Sequence, residues 1–552
     1  MGRSGLIITF FLFHLQLGFS QGAEQLAVHF DKPFYVAGED AWYKIYFQHP
    51  AAELKSKVLR VEWIGPDGEL RLQQKLKIEE NYALGDLAIP YDWEEGNYLV
   101  RIYTLWSLNF EDKAYFQQII PIYNLFESPA IVERPEEKAD NPVSAQGKTN
   151  DLVLDITADK DWYFRRDTVR LEIKLGNRMG DPVEGSLSIA VQDGNYLPDF
   201  VQADELTGQS LSAFNSEKFQ PETGLYIQGN LYDKSDQPLN TRFLTVYFPY
   251  LKSFEQTTVS SGSVFLPIPG FEGKQAVQYF DMNPFHEPTP RIEMEDFMLE
   301  IPYQGKALIR SERAADYLFL LSKYRQYQEA FNLAAPDYGG RADISKPAWQ
   351  PDKVWGMEKY TALSDLASFA AEIIAQGRVI RKGTQPSIRL QYAEKSIYNS
   401  LSPWYMVNGW LTEDENTVLK IPFREIEKVE MYNSKNSITK YLDPSMVSRG
   451  LLTISTASGK TPEELIKKPN NLELQGFYPQ RKFPQNISED ESSPDLRPLI
   501  YWNPLVRIRP DGKGEVKFAT SDGIGKCRIR IRASDKNGRL GESLLEYEVK
   551  LK

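Results

Sequence analysis

Apolar and polar residues alternate with a period of two along most of this chain, the pattern of strands with one face buried. Val58-Leu59-Arg60-Val61-Glu62-Trp63 runs this way into Gly65-Pro66-Asp67-Gly68, a turn sequence. Glu95-Gly96-Asn97 leads into Tyr98-Leu99-Val100-Arg101-Ile102-Tyr103, and Gly180-Asp181-Pro182 precedes Leu187-Ser188-Ile189-Ala190-Val191. From 222 to 290, short strands such as Leu225 to Gly229 and Phe243 to Tyr247 are punctuated by Asp236-Gln237-Pro238, Gly262 and Gly270, as in a sandwich. Near the C-terminus Val506 and Ile508 face one way, Asp511-Gly512 turns, and Val516 and Phe518 continue the apolar face as a meander. Cys527, Ile529, Ile531 and Ala533 then alternate with Arg528, Arg530 and Arg532. This alternation places Cys527 on the apolar face, where a thiol is inert core.

Helical spacing appears only in the middle. Tyr317, Leu320, Leu321, Tyr324 and Phe331 form one stripe. Leu363, Leu366, Ala367, Ala370, Ile373 and Ile374 form another, with Ser364-Asp365 at its start and Gly377 at its end. Both stripes are read as packing against a sheet. Strand-like Ile388 to Tyr392 follows, then Trp404-Tyr405-Met406-Val407 running into the turn pair Asn408-Gly409. Val429 with Met431, and Leu452 with Ile454, mark two further strands and complete an α+β segment.

One stretch recurs. Asp31-Lys32-Pro33-Phe34-Tyr35, Glu39 and Trp42-Tyr43-Lys44-Ile45 match Asp159-Lys160-Asp161-Trp162-Tyr163, Asp167 and Arg170-Leu171-Glu172-Ile173, each 128 positions on without a gap. Asp-Lys opens a turn, the aromatic pair anchors it, and the acidic residue precedes a strand, so two copies of one β-module are expected. Glu133 to Thr149, rich in charge, Pro and Ser, is the expected linker between them.

Composition narrows the class. The chain has 552 residues, enough for three to five domains, and 12% aromatic residues, which suits sheets. Its net charge of −12 argues against a nucleic-acid partner, and the single cysteine excludes an internal disulfide framework. Arg3, the apolar run Leu6 to Phe13, and Gly18 and Ser20 before Gln21 have the order of a cleaved export signal. That run falls short of the roughly 20 apolar residues a membrane span requires. The cleavage point carries no cysteine, so a lipoprotein anchor is not expected.

No catalytic, metal or cofactor site emerges. Beyond the signal-like stretch the histidines are His29, His49 and His286, scattered and without metal-ligand spacing. No Gly-x-Ser-x-Gly elbow occurs. Ser458-Gly459-Lys460-Thr461 matches the end of a phosphate loop, but Ile454 stands where its first Gly belongs. Two features are candidates for contact with a partner. Arg507, Arg509, Arg528, Arg530 and Arg532 form either a basic face for an acidic protein or anionic lipid headgroups, or a solvated face balanced by carboxylates. Trp404, Tyr405 and Trp410 are either loop contacts or core.

With these residues in view, the chain resembles known modules. His29-Phe30-Asp31-Lys32 through Gly38-Glu39 resembles the opening of macroglobulin-type domains of the alpha-2-macroglobulin family. Gly96-Asn97-Tyr98 through Trp106 resembles later strands of bacterial versions. The Gly-Cys-Gly-Glu-Gln type motif of that family's thioester is absent, so covalent protease trapping is not implied. Residues 222–290 resemble a carboxypeptidase regulatory-like sandwich. Pro403 to Gly409, Ile426-Glu427-Lys428-Val429-Glu430 and Gly450 to Thr456 resemble the plug domain of TonB-dependent receptors, with Asn408 where Asp is usual and no barrel following. Asp495-Leu496-Arg497 and Tyr501-Trp502-Asn503-Pro504 resemble the β-domain that ends large envelope proteins built from such modules.

The expectation is a mainly β, multi-domain chain of tandem β-sandwiches, then a plug-like α+β domain and a C-terminal β-sandwich. Its parts are a signal peptide (1–20), a macroglobulin-like sandwich (21–132), a linker (133–149), a second macroglobulin-like domain (150–221), a regulatory-like sandwich (222–290), a helical connector (291–360), a plug-like domain (361–475) and a C-terminal sandwich (476–552). The N-terminal sandwiches are expected to stay folded without residues 361–552. The expected function is that of an exported, non-catalytic accessory or scaffold subunit that binds an outer-membrane β-barrel protein or complex. The alternatives are a surface adhesin or glycan-binding protein and, third, a hydrolase.

Overall fold

The structure, a computed structural model, describes residues 24–48, 54–110, 115–125, 151–197, 219–239, 242–281, 290–299, 302–308, 310, 312–330, 349–382, 385–391, 398–434, 437, 449–468, 470–484 and 494–551. The signal-like residues 1–20, the linker 133–149, His49, His286 and Phe331 lie outside them. Strands take 51% of the described residues and helices 11%, so the protein is mainly β and multi-domain. It divides into two compact units, one of residues 1–223, 303–338 and 480–552, the other of residues 224–302 and 339–479.

The first unit holds two sandwiches. In the N-terminal one, the sheet Gln25–Phe30, Asp40–Gln48, Tyr82–Ala88 faces a five-stranded sheet in the order Tyr35–Val36, Phe116–Tyr123, Gly96–Tyr103, Val58–Ile64, Leu70–Lys77. Phe30 and Tyr43 meet Trp63 between them, with ring centroids 6.4 Å apart in both pairs. The Asp40–Gln48 strand is buried on both faces. Tyr43, Ile45 and Phe47 line this core, and the alternate residues Trp42, Lys44 and Tyr46 point away from it.

The second sandwich corrects the expected boundaries. Gly185–Asp193, from the segment read as a second macroglobulin-like domain, pairs antiparallel with both Leu499–Ile508 and Gly525–Asp535. Thr168–Asn177 pairs with Leu152–Ala158 on one side and Lys513–Ala519 on the other. Segments 150–221 and 476–552 are therefore two halves of one sandwich, interrupted in sequence by the second unit. Each half alone presents an apolar face, Leu171, Ile173, Leu187, Ile189 and Val191 in one and Val506, Ile508, Val516, Ile529 and Ile531 in the other, and together they close a single core. The expected meander is corrected too. The Asp511-Gly512 turn carries the chain from one sheet to the other, so Val506 and Phe518 meet across the core instead of along one sheet. For the same reason the expectation of folding without residues 361–552 is corrected for segment 150–221, whereas the described strands of the first sandwich all lie within residues 25–123.

Helix α1 (Glu312–Ala330) belongs to this first unit. As the stripe predicted, it packs on a sheet: Ala314, Tyr317, Leu318 and Leu321 lie against Phe34, Val36, Tyr123 and Leu197.

The second unit opens with a sandwich of the sheets Ser263–Ile268, Leu225–Tyr232, Arg291–Met294 and Ser253–Val259, Arg242–Phe248, Lys274–Asp281, Asn471–Gln475. It thus takes one strand beyond residue 290 and one from the segment read as plug-like. The α+β part has the sheet order Lys353–Gly356, Ile426–Tyr432, Leu451–Thr456, Trp404–Val407, Trp410–Thr412. It therefore begins before residue 361. Helix α2 (Leu366–Glu372) starts where Ser364-Asp365 predicted, the Asp365 carboxylate accepting from the Ser368 N–H at 2.7 Å. Asn408 and Gly409 have φ of 48° and 92°, the left-handed pair that a two-residue hairpin turn requires.

Candidate functional site

The repeated segments fold into the same hydrogen-bonded cassette. In the first copy, Asp31 Oδ1 accepts from the Tyr35 hydroxyl at 2.6 Å and from the Trp42 N–H at 2.8 Å, and Lys32 pairs with Glu39 at 2.7 Å. In the second, Asp159 Oδ1 accepts from the Tyr163 hydroxyl at 2.5 Å and the Arg170 N–H at 3.0 Å, and Lys160 pairs with Asp167 at 2.9 Å. Each lysine lies over its tyrosine ring, at 4.9 and 5.3 Å. After each cassette's turn a short strand joins a sheet edge in parallel, Tyr35–Val36 on Phe116–Tyr123 and Trp162–Phe164 on Leu540–Lys550. An aspartate that holds both a turn hydroxyl and the next strand's N–H fixes the angle at which the strand leaves the turn. That is why the residue types recur at fixed spacing.

The surroundings of the two copies differ, and so do their ionisations. Asp31 is fully buried, and desolvation raises its carboxyl to about 7 against the pull of Lys32 and Tyr35. Asp159 lies at the surface, where the Tyr163 hydroxyl holds it below the usual carboxylate range. Helix α1 closes over the first copy, with the Tyr317 hydroxyl donating to Glu39 at 2.6 Å and its ring edge-on to Phe34 at 5.1 Å.

The outward face of Asp40–Gln48 meets the second sandwich in a polar seam. The Tyr46 hydroxyl bonds Ser188 Oγ at 2.6 Å and donates to the Arg532 carbonyl at 2.8 Å. His29 Nδ1 lies 2.5 Å from Ser188 Oγ, its ring edge-on to Trp502 at 5.3 Å. Its Nε2 is buried without a partner. Burial, with Arg530, Arg532 and Lys44 nearby, drives the imidazole well below its ordinary value. Lys44 Nζ reaches Ser186 Oγ at 3.2 Å and sits over the rings of Tyr46 and Tyr82 at 4.5 and 4.9 Å. It meets no carboxylate among the described residues, and desolvation lowers it to about 7.

The candidate basic face is covered and balanced. Antiparallel pairing sets Glu546 opposite Arg528 and Glu542 opposite Arg532, and both pairs are ion-paired, Arg528 to Glu546 at 3.0 Å. Arg532 is buried and donates to the Val28 carbonyl at 2.5 Å. Arg530 is half-buried, and desolvation still lowers its guanidinium to about 10. Arg530 and Arg532 thus lie at the seam between the sandwiches and Arg528 is paired within its own sheet, while Arg507 and Arg509 remain exposed.

Two of the three aromatic candidates, Trp404 and Tyr405, are core as well. Trp404 is buried edge-on to Phe280 at 5.4 Å with the Arg449 guanidinium over its ring at 5.1 Å, and the Tyr405 hydroxyl donates to Glu415 at 2.6 Å. Trp410 is half-buried beside the hairpin turn. One face of the α+β sheet packs on α2, through Phe369 and Ala370. The other, with Trp404, Met406, Tyr432 and Leu451, packs on Tyr247, Phe254 and Phe280 of the adjoining sandwich.

Sequence reasoning found the cassettes but missed the seam. Trp42 and Tyr46, aromatic residues on the strand face that should have been polar, were its only signal. Among the described residues no cluster of three His, Cys, Asp or Glu could hold a metal ion, and no helix is long and apolar enough to cross a membrane.

No family model and no curated protein matches the chain. Solved structures do match. Native Escherichia coli alpha-2-macroglobulin matches at 10% identity and a TM-score of 0.25, covering 96% of this chain and 40% of that one. Salmonella alpha-2-macroglobulin reacted with methylamine matches at 10% identity and 0.25, covering 97% and 40%. The Escherichia coli adhesin FdeC matches at 10% identity and 0.13, covering 45% and 65%. The chain thus spans about 40% of the length of the alpha-2-macroglobulins it matches.

Proposed function

We propose that this chain is an exported, non-catalytic scaffold of the bacterial envelope that binds an outer-membrane β-barrel protein or complex. The observation behind this reading is where the perturbed acid–base groups lie. Asp31, His29, Lys44 and Arg530 are shifted because they are enclosed in packed sheets or in the seam between two sandwiches, not because they line a cleft. Perturbed groups at an active site face a space that a substrate can enter; here Asp31 fixes a turn inside one sandwich and the other three lie at the seam between two. In this reading the Pro403 to Ser455 segment keeps a plug-like chain pattern but serves as a packed module. Residues 222–290, with their added strands, are a regulatory-like sandwich used as a spacer.

The test is purification from gently solubilised membranes with partners identified by mass, alongside turnover assays on the pure protein. A β-barrel protein co-purifying in stable ratio, with no peptidase, glycosidase or esterase turnover, is the expected result. A wholly soluble monomer without barrel cross-links overturns it. One observation favours the adhesin or glycan-binding alternative: Phe265, 56% exposed, stands beside Tyr226 at 5.2 Å on the outer face of a sheet, a surface on which a sugar ring can stack.

A further inference from the structure

The two cassettes are alike inside and unlike outside, and the difference defines a surface. On the first, the side chains flanking Tyr35 are Phe34, 5% exposed, and Val36, which is fully buried. Both lie under α1, with Ala314, Tyr317, Leu318 and Leu321 seated on them and the Tyr317 hydroxyl on Glu39. At the same places in the second copy stand Trp162, 42% exposed, and the half-buried Phe164, edge-on to each other at 5.1 Å. The acceptor equivalent to Glu39 is Asp167. Lys160, Trp162, Phe164 and Asp167 line a surface cavity of about 260 Å³. Where Tyr123 stands beside Phe34, the parallel register puts Lys550, its ammonium 5.0 Å above the Trp162 ring.

We propose that this second cassette is a docking site for an amphipathic helix of a partner protein, seated as α1 is seated on the first. The occupant presents a small residue, a tyrosine, a leucine next to it and a leucine one turn on, the spacing of Ala314, Tyr317, Leu318 and Leu321. Its tyrosine hydroxyl bonds Asp167, its apolar stripe covers Trp162 and Phe164, and an acidic residue meets Lys550. Three observations converge on it: the occupied twin of the site, the exposed indole, and a cation where the twin has a tyrosine. An exposed tryptophan in a pocket rimmed by charge is the kind of group on which binding energy concentrates. The proposal rests on the docking reading above and names one partner surface for it.

The probe is a helix-constrained synthetic peptide with the sequence of residues 312–330, which carries the stripe together with Glu312 and Asp316. A photo-reactive group replaces Leu318, and the peptide is added to the full chain. Saturable binding is expected, with cross-links mapping to residues 160–167 and to Lys550. Trp162→Ala, at a position exposed enough to leave the circular dichroism spectrum unchanged, is expected to weaken binding at least tenfold, and Trp162→Phe to retain it. No saturable binding, cross-links only at residues 32–39 or elsewhere, or binding indifferent to Trp162→Ala overturns the proposal. Co-purification with a membrane barrel is read out independently, so failure of this site and failure of the scaffold reading are distinguishable.

Discussion

Replacing Lys44 by Met should stabilise the protein near neutral pH and lose that advantage as pH rises. The folded protein holds this ammonium at about 7 against an ordinary 10.5. At about 1.4 kcal/mol per pH unit, burial of the charged form therefore costs up to about 5 kcal/mol below pH 7. In return the wild type gains the Ser186 bond and two aromatic contacts, about 2 kcal/mol together. Because the folded pKa is depressed, the stability attached to the neutral amine is present above the unfolded value and is lost as pH falls toward 7. Between pH 7 and 9.5 the wild type should gain about 3 kcal/mol and the Lys44→Met protein almost nothing. Met should thus stabilise by about 3 kcal/mol near pH 6.5 and be close to neutral at pH 9.5. His29 is driven low, and Asp31, raised to about 7, titrates at the lower end of that window in both proteins alike, so it cancels from the difference between their slopes. Because the chain has several domains, a single unfolding midpoint is a poor measure. Amide hydrogen exchange of the Asp40–Gln48 strand, corrected for intrinsic rates, reads the local opening free energy instead. Equal pH slopes in the two proteins would refute the reasoning.

Four more outcomes follow from the same geometry. Cys527 is buried, and burial raises its thiol to about 12, so thiol reagents should label it only after denaturation; rapid labelling of native protein would show the strand register to be wrong. Arg60→Met leaves Glu222 buried without the guanidinium that meets it at 2.8 and 3.1 Å, and should cost about 3–5 kcal/mol by chemical denaturation; a loss under about 1 kcal/mol would mean the pair is solvated. Asp31→Asn should flatten the decline in stability between pH 4 and 7 that a raised carboxyl imposes, while Asp159→Asn should remove a loss that sets in as pH falls through the ordinary carboxylate value; amide exchange of the Asp40–Gln48 and Thr168–Asn177 strands showing the same change with pH for both would contradict the burial difference. Truncation at residue 480 should expose Leu187, Ile189 and Val191 and make the 151–197 segment protease-sensitive, whereas survival of that segment would deny the shared sandwich.

The strands and the cassettes were legible because both are local. Alternation at Val58 to Trp63 and the Asp-Lys-aromatic spacing each report on a few consecutive residues. The pairing of Gly185–Asp193 with strands some 300 residues later was not legible, because period-two alternation states which face is apolar and nothing about which strand lies alongside. The same limit explains the arginines. Arg528 and Arg532 read as a free basic row because the glutamates opposite them belong to the next strand, and the first sandwich, which covers Arg532, is brought there only by the tertiary fold. Trp404 and Tyr405 read as loop contacts because their partners Phe280 and Glu415 lie on other elements.

A sandwich made from two distant halves also dictates an order of assembly. A chain emerging from its N-terminus delivers Leu152 to Asp193 long before Leu499 to Lys550, and until then Leu152–Ala158 and Thr168–Asn177 have only each other while Gly185–Asp193 has edges but no neighbours. Joining them directly across about 300 unstructured residues would cost about 5 kcal/mol of loop-closure entropy. If the unit formed by residues 224–302 and 339–479 folds first, much of that loop is already ordered and the search is correspondingly shorter. The inserted unit then acts as a timer: the unpaired edge of Gly185–Asp193 remains open to holding factors, or to aggregation, for as long as it takes to fold.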